Sequence, residues 1–186
     1  MIIKRVITID YGHRLPEYFG PCSNHHGHLG RIICSFEGIT KSDGMIEDFS
    51  YLKEVMMREI HAVADHCYII WKGDTEEFNI TLGSSVMFQD GDPKNVNLMY
   101  VGISTLEFMK ASGKKILVTD DPPTAETLAK YFGEKVRMAI LDKPFYLYSL
   151  EWWETPNNCA VYFPSEERVS FDTELTMREQ LDQAGY

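Results

Sequence analysis

The residue types most able to do chemistry lie near the start of the chain, where His13 precedes the segment 22–28, which reads CSNHHGH. Side chains two residues apart on an extended segment share one face, so His26 and His28 can act together, and we add His13 as a third imidazole. Three histidine ligands leave one tetrahedral position open, as catalytic zinc requires, whereas structural zinc sites fill all four positions with protein ligands. The pattern predicts zinc that contacts a substrate; a polar, histidine-rich surface loop is the alternative.

His25 and Cys22, which lie close to these histidines in the sequence, have different predicted roles. His25 would point to the opposite face of a strand and is left out of the site. Cys22 lies four residues before His26, close enough for its sulfur to face a substrate on the metal, and a thiol near a cation ionises readily to the thiolate that serves as base or nucleophile. A further zinc ligand or a buried small hydrophobe is the alternative. Pro21 and the polar residues after Cys22 argue against deep burial, so we favour the catalytic role.

Two acidic sites lie farther along the chain. Asp65 and His66 follow a predicted helix, where the carboxylate could orient an imidazole for proton transfer; a polar pair at a helix end is the simpler interpretation from these residues alone. Glu154 and Thr155 lie between two aromatic-rich strands. The Glu154 carboxylate could accept paired N–H groups from a guanidine-like edge of a heterocycle, and an exposed turn glutamate is an equal alternative.

The composition limits the class of partner. The chain has 186 residues, 44% of them hydrophobic, which is enough for one domain with a substantial core. Its net charge of -10 argues against a nucleic-acid partner, because phosphate contacts need clustered Lys and Arg. A small metabolite is the expected partner.

The cysteines and the first residues predict the compartment. Cys22, Cys34, Cys67 and Cys159 form no C-x-x-C pair, which favours a reducing compartment, and we expect the cytoplasm. The first residues, Met-Ile-Ile-Lys-Arg-Val, form neither a signal-peptide core nor a membrane span, and no membrane partner is expected.

The pattern of apolar residues predicts two pairs of strands and two helices. We predict strands at 2–10, 31–39, 145–153 and 159–163, a short strand at 115–119, a helix capped by Asp48 and a second helix started by Pro122, Pro123 and Thr124. Glycines break up 73–113, where we expect irregular structure with a hairpin and one short helix. The prediction is an α+β domain over 1–163, with an insertion at about 73–113 and a surface tail at 164–186.

This order of elements is typical of antiparallel hairpins rather than βαβ units. We expect a four-stranded antiparallel sheet with two helices on one face. Such a sheet leaves edges that must be covered or paired, so the sequence also predicts a homo-oligomer.

A set of short motifs in a fixed order resembles the family of 6-pyruvoyltetrahydropterin and 6-carboxytetrahydropterin synthases. The motifs extend from the first strand to about Phe163, and 73–113 resembles an insertion relative to compact members. They are His13-Arg14-Leu15-Pro16, Cys22-x-x-x-His26-Gly27-His28, Gly44-Met45-Ile46-x-Asp48-Phe49, Asp65-His66, Pro123-Thr124-Ala125-Glu126 and Glu154-Thr155.

The resemblance implies a T-fold (tunnelling fold), in which subunits join their sheets into a barrel, commonly as a hexamer with active sites at subunit interfaces. It also implies Zn²⁺ on the three histidines and 7,8-dihydroneopterin triphosphate as the substrate. The implied roles of the remaining site residues are proton abstraction by Cys22, a relay by His66 with Asp65, anchoring of the pterin by Glu154 and a further hydrogen bond from Thr155.

Within the family, the three residues between Cys22 and His26 resemble the bacterial 7-deazaguanine branch, which leads to preQ0 and queuosine. The expected reaction is formation of 6-carboxytetrahydropterin with loss of acetaldehyde and triphosphate. One alternative is a 6-pyruvoyltetrahydropterin synthase, which stops after triphosphate elimination, or an aldolase-like cleavage at the same site. An alternative of another class is a non-catalytic, zinc-containing pterin-binding protein.

Overall fold

The computed structural model of the protein describes residues 1–74, 80–88, 96–104 and 109–164. Its strands are β1 (Ile2–His13), β2 (His26–Gly38), β3 (Cys67–Trp71), β4 (Ile80–Phe88), β5 (Val96–Ser104), β6 (Ile116–Thr119), β7 (Phe145–Thr155) and β8 (Asn158–Tyr162). Its helices are α1 (Phe49–Met56), a π-helical segment (Met57–His61), α2 (Ala62–Ala64), α3 (Ala125–Ala139) and a 3₁₀ turn (Pro21–Ser23).

The main sheet has six strands in the order β6-β3-β1-β2-β7-β8. Its antiparallel part, β1-β2-β7-β8, matches the predicted sheet, but the predicted total of four strands is wrong. Strand β3 pairs in parallel with both β1 and β6 and extends the sheet by two strands. Because β3 is only five residues long and follows the helix almost directly, its short apolar run carries little strand signal of its own.

The first helical region begins where the sequence predicts. The Asp48 carboxylate accepts a hydrogen bond from the backbone N–H of Ser50, which satisfies one of the unpaired donors at a helix start. Leu52, Val55 and Ile60 are fully buried. Helical structure ends at Ala64, directly before the Asp65-His66 pair.

Helix α3 packs on the same face of the sheet as the first helical region. Thr124 caps it by accepting a hydrogen bond from the N–H of Thr127. Four apolar positions at helical spacing are all buried, and they belong to one cluster with residues of α1, β1, β2 and β7. These positions are Leu128, Phe132, Val136 and Ile140. The predicted α+β arrangement, with both helices on one face, is therefore confirmed.

The insertion contains the predicted hairpin. Strands β4 and β5 pair antiparallel as a separate two-stranded sheet, and 109–111 form one helical turn after it. Near the start of the predicted insertion, Asp74 is buried and forms a bidentate ion pair with Arg14, with both N–O distances at 2.7 Å. This ion pair fixes the start of the insertion beside His13. Residues 75–79, 89–95, 105–108 and the predicted tail from 165 lie outside the described residues.

Within the described part of the chain, no helix combines the length and the apolar character that crossing a bilayer requires.

Candidate metal and catalytic site

The first two strands are longer than the sequence indicates, and this difference builds the site. We expected β1 to end at Asp10 and β2 to begin at Arg31, but β1 runs to His13 and β2 begins at His26. In the antiparallel register His13 lies opposite His26, and Tyr11 lies opposite His28. Residues directly opposite each other across a strand pair share one face. The histidines therefore project from a hydrogen-bonded ladder, which holds them more rigidly than the predicted loop would.

The structure brings the three predicted imidazoles together. Their ring nitrogens form a group in which the potential ligand atoms all lie within 4.8 Å of one another. The Nε2 atoms of His13 and His28 are 3.1 Å apart. His13 is 1% exposed, whereas His26 and His28 are partly exposed, so the group opens toward the surface.

Two of the rings have their tautomers set by backbone carbonyls. Nδ1 of His13 is 2.6 Å from the carbonyl oxygen of Pro123, and Nδ1 of His26 is 2.8 Å from that of Asn24. A carbonyl oxygen only accepts, so each Nδ1 carries the hydrogen and each Nε2 presents a lone pair. Such hydrogen bonds orient the histidine ligands of metal sites.

Burial also affects the protonation state of the His13 imidazole. Loss of solvent lowers the pKa of His13 to about 4, although its bond to Pro123 acts in the opposite direction. The imidazole is therefore neutral at pH 7 and available to a cation. A cluster of three imidazoles suits zinc and leaves room for a substrate or water ligand. The residues present fit the metal that the sequence predicts.

Cys22 lies in the 3₁₀ turn between the two strands. Its carbonyl accepts a hydrogen bond from the N–H of Leu15 at 2.8 Å, and its free thiol is half-buried. The cluster of ligand atoms within 4.8 Å of one another comprises histidines alone, so the geometry gives no support to Cys22 as a fourth ligand. Cys34 differs, because full burial strongly raises the pKa of its thiol and makes it unsuited to chemistry.

Asp65 and His66 form a hydrogen-bonded pair at a sharp turn of the chain. His66 has a φ of 52°, and its N–H donates to the carbonyl of Asp10 at 2.6 Å. The Asp65 carboxylate lies 2.8 Å from Nδ1 of His66 and accepts the N–H of Asp10 at 3.0 Å. Partial burial raises the pKa of Asp65, but these bonds and the nearby His61 outweigh it, and the net pKa is lowered.

The His66 ring faces outward. Its side chain is 76% exposed, and together with His28 it lines an open depression of about 540 Å³. Among the described residues, its hydrogen-bond partner is Asp65, and it does not belong to the histidine cluster. The structure thus assembles the Asp65–His66 pair but leaves its free ring edge available to a group outside this chain.

Glu154 points at the histidine cluster rather than into solvent. A register shift between Trp153 and Thr155 interrupts the β7–β8 ladder, and such bulges change the direction of a side chain. Oε1 of Glu154 lies 3.9 Å from Nε2 of His13. Thr155 is the last residue of β7, and its Oγ1 accepts the N–H groups of Asn157 and Asn158.

Two buried aromatic residues that the sequence analysis missed complete the surroundings of Glu154. The hydroxyl of Tyr11 donates to Oε1 of Glu154 at 3.1 Å, and Nε1 of Trp152 donates to the hydroxyl of Tyr11 at 3.0 Å. Tyr11 precedes His13 by two residues on one strand. The same two-residue period that grouped His26 with His28 would have found it, had the strand been extended to His13.

Comparison with known proteins identifies the class. The family model of 6-pyruvoyl tetrahydropterin synthase matches residues 2–165, which covers the sheet, both packed helices and every residue of the site. The chain belongs to this family, and its fold is the α+β T-fold.

Individual relatives agree with this assignment. The chain is 26% identical over 155 residues to a 6-carboxy-5,6,7,8-tetrahydropterin synthase of Rickettsia conorii, covering 82% of this chain and 93% of the relative. It is 31% identical over 141 residues to a Pyrococcus horikoshii protein provisionally given the same name. This match covers 73% of this chain and 75% of that protein. The 6-pyruvoyl tetrahydropterin synthase of Caenorhabditis elegans, whose structure is solved, shares the fold at a TM-score of 0.56 and 24% identity. The match covers 89% of this chain and 96% of the C. elegans chain.

Proposed function

We propose that this chain is a zinc-dependent 6-carboxy-5,6,7,8-tetrahydropterin synthase. It would convert 7,8-dihydroneopterin triphosphate and water into 6-carboxytetrahydropterin, acetaldehyde and triphosphate. The observation that carries the proposal is the convergence of three imidazole nitrogens, at least two with their lone pairs exposed by backbone hydrogen bonds, next to the Glu154 carboxylate. The names of the Rickettsia and Pyrococcus relatives support the carboxy product.

His13, His26 and His28 would hold the zinc. When bound, the metal supplies Lewis-acid polarisation of the hydroxyl groups on the substrate side chain. The half-buried thiol of Cys22, on the turn between the two histidine strands, would remove the proton from the adjacent carbon as a thiolate.

Glu154 would hold the pterin ring. A carboxylate matches two neighbouring N–H groups of a guanidine-like edge, as in bidentate arginine pairs. Since Glu154 lies 3.9 Å from His13, a ring held by this carboxylate would lie directly beside the proposed metal ligands. A substrate held at both ends has its reacting carbon fixed, which is an orientation effect.

The Asp65–His66 pair would carry protons for a site on another subunit. Asp65 engages Nδ1 of His66, and the ring is largely exposed, so Nε2 faces outward. The sheet of this chain ends on β6 and β8, two edges that pairing with further copies would cover. We propose a hexamer with active sites at its subunit interfaces.

The proposal extends to pathway and compartment. A 6-carboxytetrahydropterin product would feed 7-deazaguanine biosynthesis, toward preQ0 and queuosine. The four cysteines are all unpaired thiols, which supports a reducing compartment such as the cytoplasm.

The direct test is product analysis. Zinc-loaded protein is incubated with 7,8-dihydroneopterin triphosphate. The mass of the pterin product is measured by mass spectrometry, and acetaldehyde is assayed. A carboxy product with acetaldehyde is expected. A second candidate is the 6-pyruvoyl activity named for the family and for the C. elegans structure; a pyruvoyl product without acetaldehyde would establish it. Binding without turnover would instead favour a non-catalytic pterin-binding protein.

A further inference from the structure

Tyr11 connects the core of the domain to the candidate pterin anchor. The indole N–H of Trp152 donates to the Tyr11 hydroxyl at 3.0 Å, and that hydroxyl lies 3.1 Å from Oε1 of Glu154. Trp152 is fully buried and Tyr11 is 4% exposed, so water does not compete freely for these bonds. The chain of hydrogen bonds runs from the core outward to the site.

The chemistry of the donors fixes the direction of this chain. An indole N–H can only donate, so the Tyr11 oxygen must act as the acceptor of that bond. The single hydroxyl hydrogen then remains for Glu154, whose carboxylate accepts it. The phenol hydroxyl therefore acts as acceptor toward Trp152 and as donor toward Glu154.

The ring and the hydroxyl of Tyr11 serve separate contacts. The ring packs edge-on against His13, with centroids 5.4 Å apart, and at a tilt against His28, with centroids 5.5 Å apart. The hydroxyl reaches past these imidazoles to Glu154. Replacing tyrosine by phenylalanine would therefore keep the packing around the histidines and remove only the bond to the carboxylate.

We infer that Tyr11 is a positioning residue that holds the Glu154 carboxylate in the orientation needed to accept the N–H edge of the pterin. The bond from Tyr11 engages Oε1, which stops rotation of the carboxylate and directs Oε2 toward a ligand. This inference rests on the proposed function, because it takes Glu154 as the ring anchor.

The test compares Tyr11→Phe with the wild type by steady-state kinetics on 7,8-dihydroneopterin triphosphate and by zinc content. Loss of a hydrogen bond to the charged anchor weakens binding through that anchor, so we expect KM to rise about tenfold. Tyr11→Phe retains Glu154 and the three histidines, so a substrate that has bound is still held at both ends, and kcat should stay within about twofold. Zinc per chain should be unchanged.

Tyr162→Phe provides a matched control. Tyr162 also donates its hydroxyl to a carboxylate, that of Glu134, at 2.6 Å, but this pair joins β8 to α3 away from the histidines. The Tyr162→Phe substitution removes the same chemical group as Tyr11→Phe, a phenol hydroxyl. We expect KM for Tyr162→Phe to equal that of the wild type.

A double-mutant cycle separates positioning from general packing. In a Glu154→Ala background the hydroxyl has no carboxylate to orient, so Tyr11→Phe should cause no further fall in kcat/KM. An equal fall in both backgrounds would overturn the inference, as would an unchanged KM in Tyr11→Phe alone. Loss of zinc from Tyr11→Phe would overturn it too, because the hydroxyl would then act on the metal site.

The wild type distinguishes this inference from the proposed function. An active wild type with an unaffected Tyr11→Phe variant would refute the inference alone. A wild type that neither binds nor converts the pterin would refute the proposed function, and the inference with it.

Discussion

At the scale of single residues, the site depends on where ring nitrogens carry their hydrogens. Backbone carbonyls hold Nδ1 of His13 and His26, which leaves Nε2 as the ligand atom of each ring. Burial keeps His13 neutral. These features act before any metal arrives, and they explain why histidines two residues apart on a strand make a better site than the same residues in a loop.

The role of His26 is tested against its neighbour. His26→Ala removes one ligand, and we expect less than about a tenth of the wild-type zinc to remain after dialysis, because affinity depends on the complete ligand set. His25→Ala is the matched control. The His25 ring lies against Tyr68, with centroids 5.4 Å apart, and is not in the cluster, so zinc should stay at the wild-type level. A full metal complement in His26→Ala, by elemental analysis, would refute the triad.

We expect Cys22 to be required for turnover but not for zinc binding. General base catalysis contributes about 10²- to 10⁴-fold, so Cys22→Ala should lose at least this much in kcat while retaining its zinc. Cys159→Ala removes an exposed free thiol from β8 and should leave kcat unchanged. Loss of zinc from Cys22→Ala would make the thiol a ligand instead of the base.

At the scale of elements, the sequence predicted the long amphipathic segments and the short strand β6, but it missed β3 and the ends of β1 and β2 that carry the histidines. Asp48 and Thr124 cap their helices as expected, because side-chain caps are local signals. Strand β3 and the first residues of β2 were missed, since β3 pairs with strands distant in the chain and since glycine and histidine carry little strand propensity at 26–30. Long-range pairing decided both.

Contacts between residues far apart in the chain also limit what the sequence reveals about the candidate site. The triad followed from spacing alone, but the link from Trp152 through Tyr11 to Glu154 joins residues more than 140 positions apart, with separations of 141 and 143. Periodicity within one strand cannot reveal which distant strand supplies a partner. The structure was therefore needed to find why Glu154 points toward the histidines.

The packing of α3 on the sheet should dominate the stability of the domain. Phe132 is fully buried and stacks on Trp152, with centroids 5.2 Å apart and planes 10° from parallel. Phe132→Ala should lower the free energy of unfolding by about 3–5 kcal/mol. Met138→Ala, on the same helix at 56% exposure, should change it by less than about 0.5 kcal/mol. Urea unfolding at fixed zinc concentration measures both, and equal effects would contradict the packing described.

At the scale of the whole molecule, the proposed function takes residues from two copies of the chain into one active site. His66 lines the same depression as His28 but faces outward. The outer strands β6 and β8 present unpaired edges in the described chain. A ring of subunits would cover these edges and bring the His66 of one copy to the metal site of another.

Subunit mixing tests this arrangement. Cys22→Ala and His66→Ala should each be inactive, but random co-assembly should restore about a quarter of the wild-type activity, since half of the sites have an intact cysteine and half of those an intact neighbouring histidine. Cys22→Ala mixed with His26→Ala is the control. Both of those residues belong to one copy's site, so no activity should return. A failure of the first mixture to recover would place the complete site within one chain.

The proposed metal site uses three histidines, keeps one position open and leaves Cys22 for chemistry. X-ray absorption spectroscopy of the zinc-loaded wild type identifies the atoms bound to the metal. We expect three imidazole nitrogens at about 2.0–2.1 Å and one further light atom, without sulfur. A sulfur shell at about 2.3 Å, lost in Cys22→Ala, would contradict it, because the fourth position would then be closed by the residue assigned as the base.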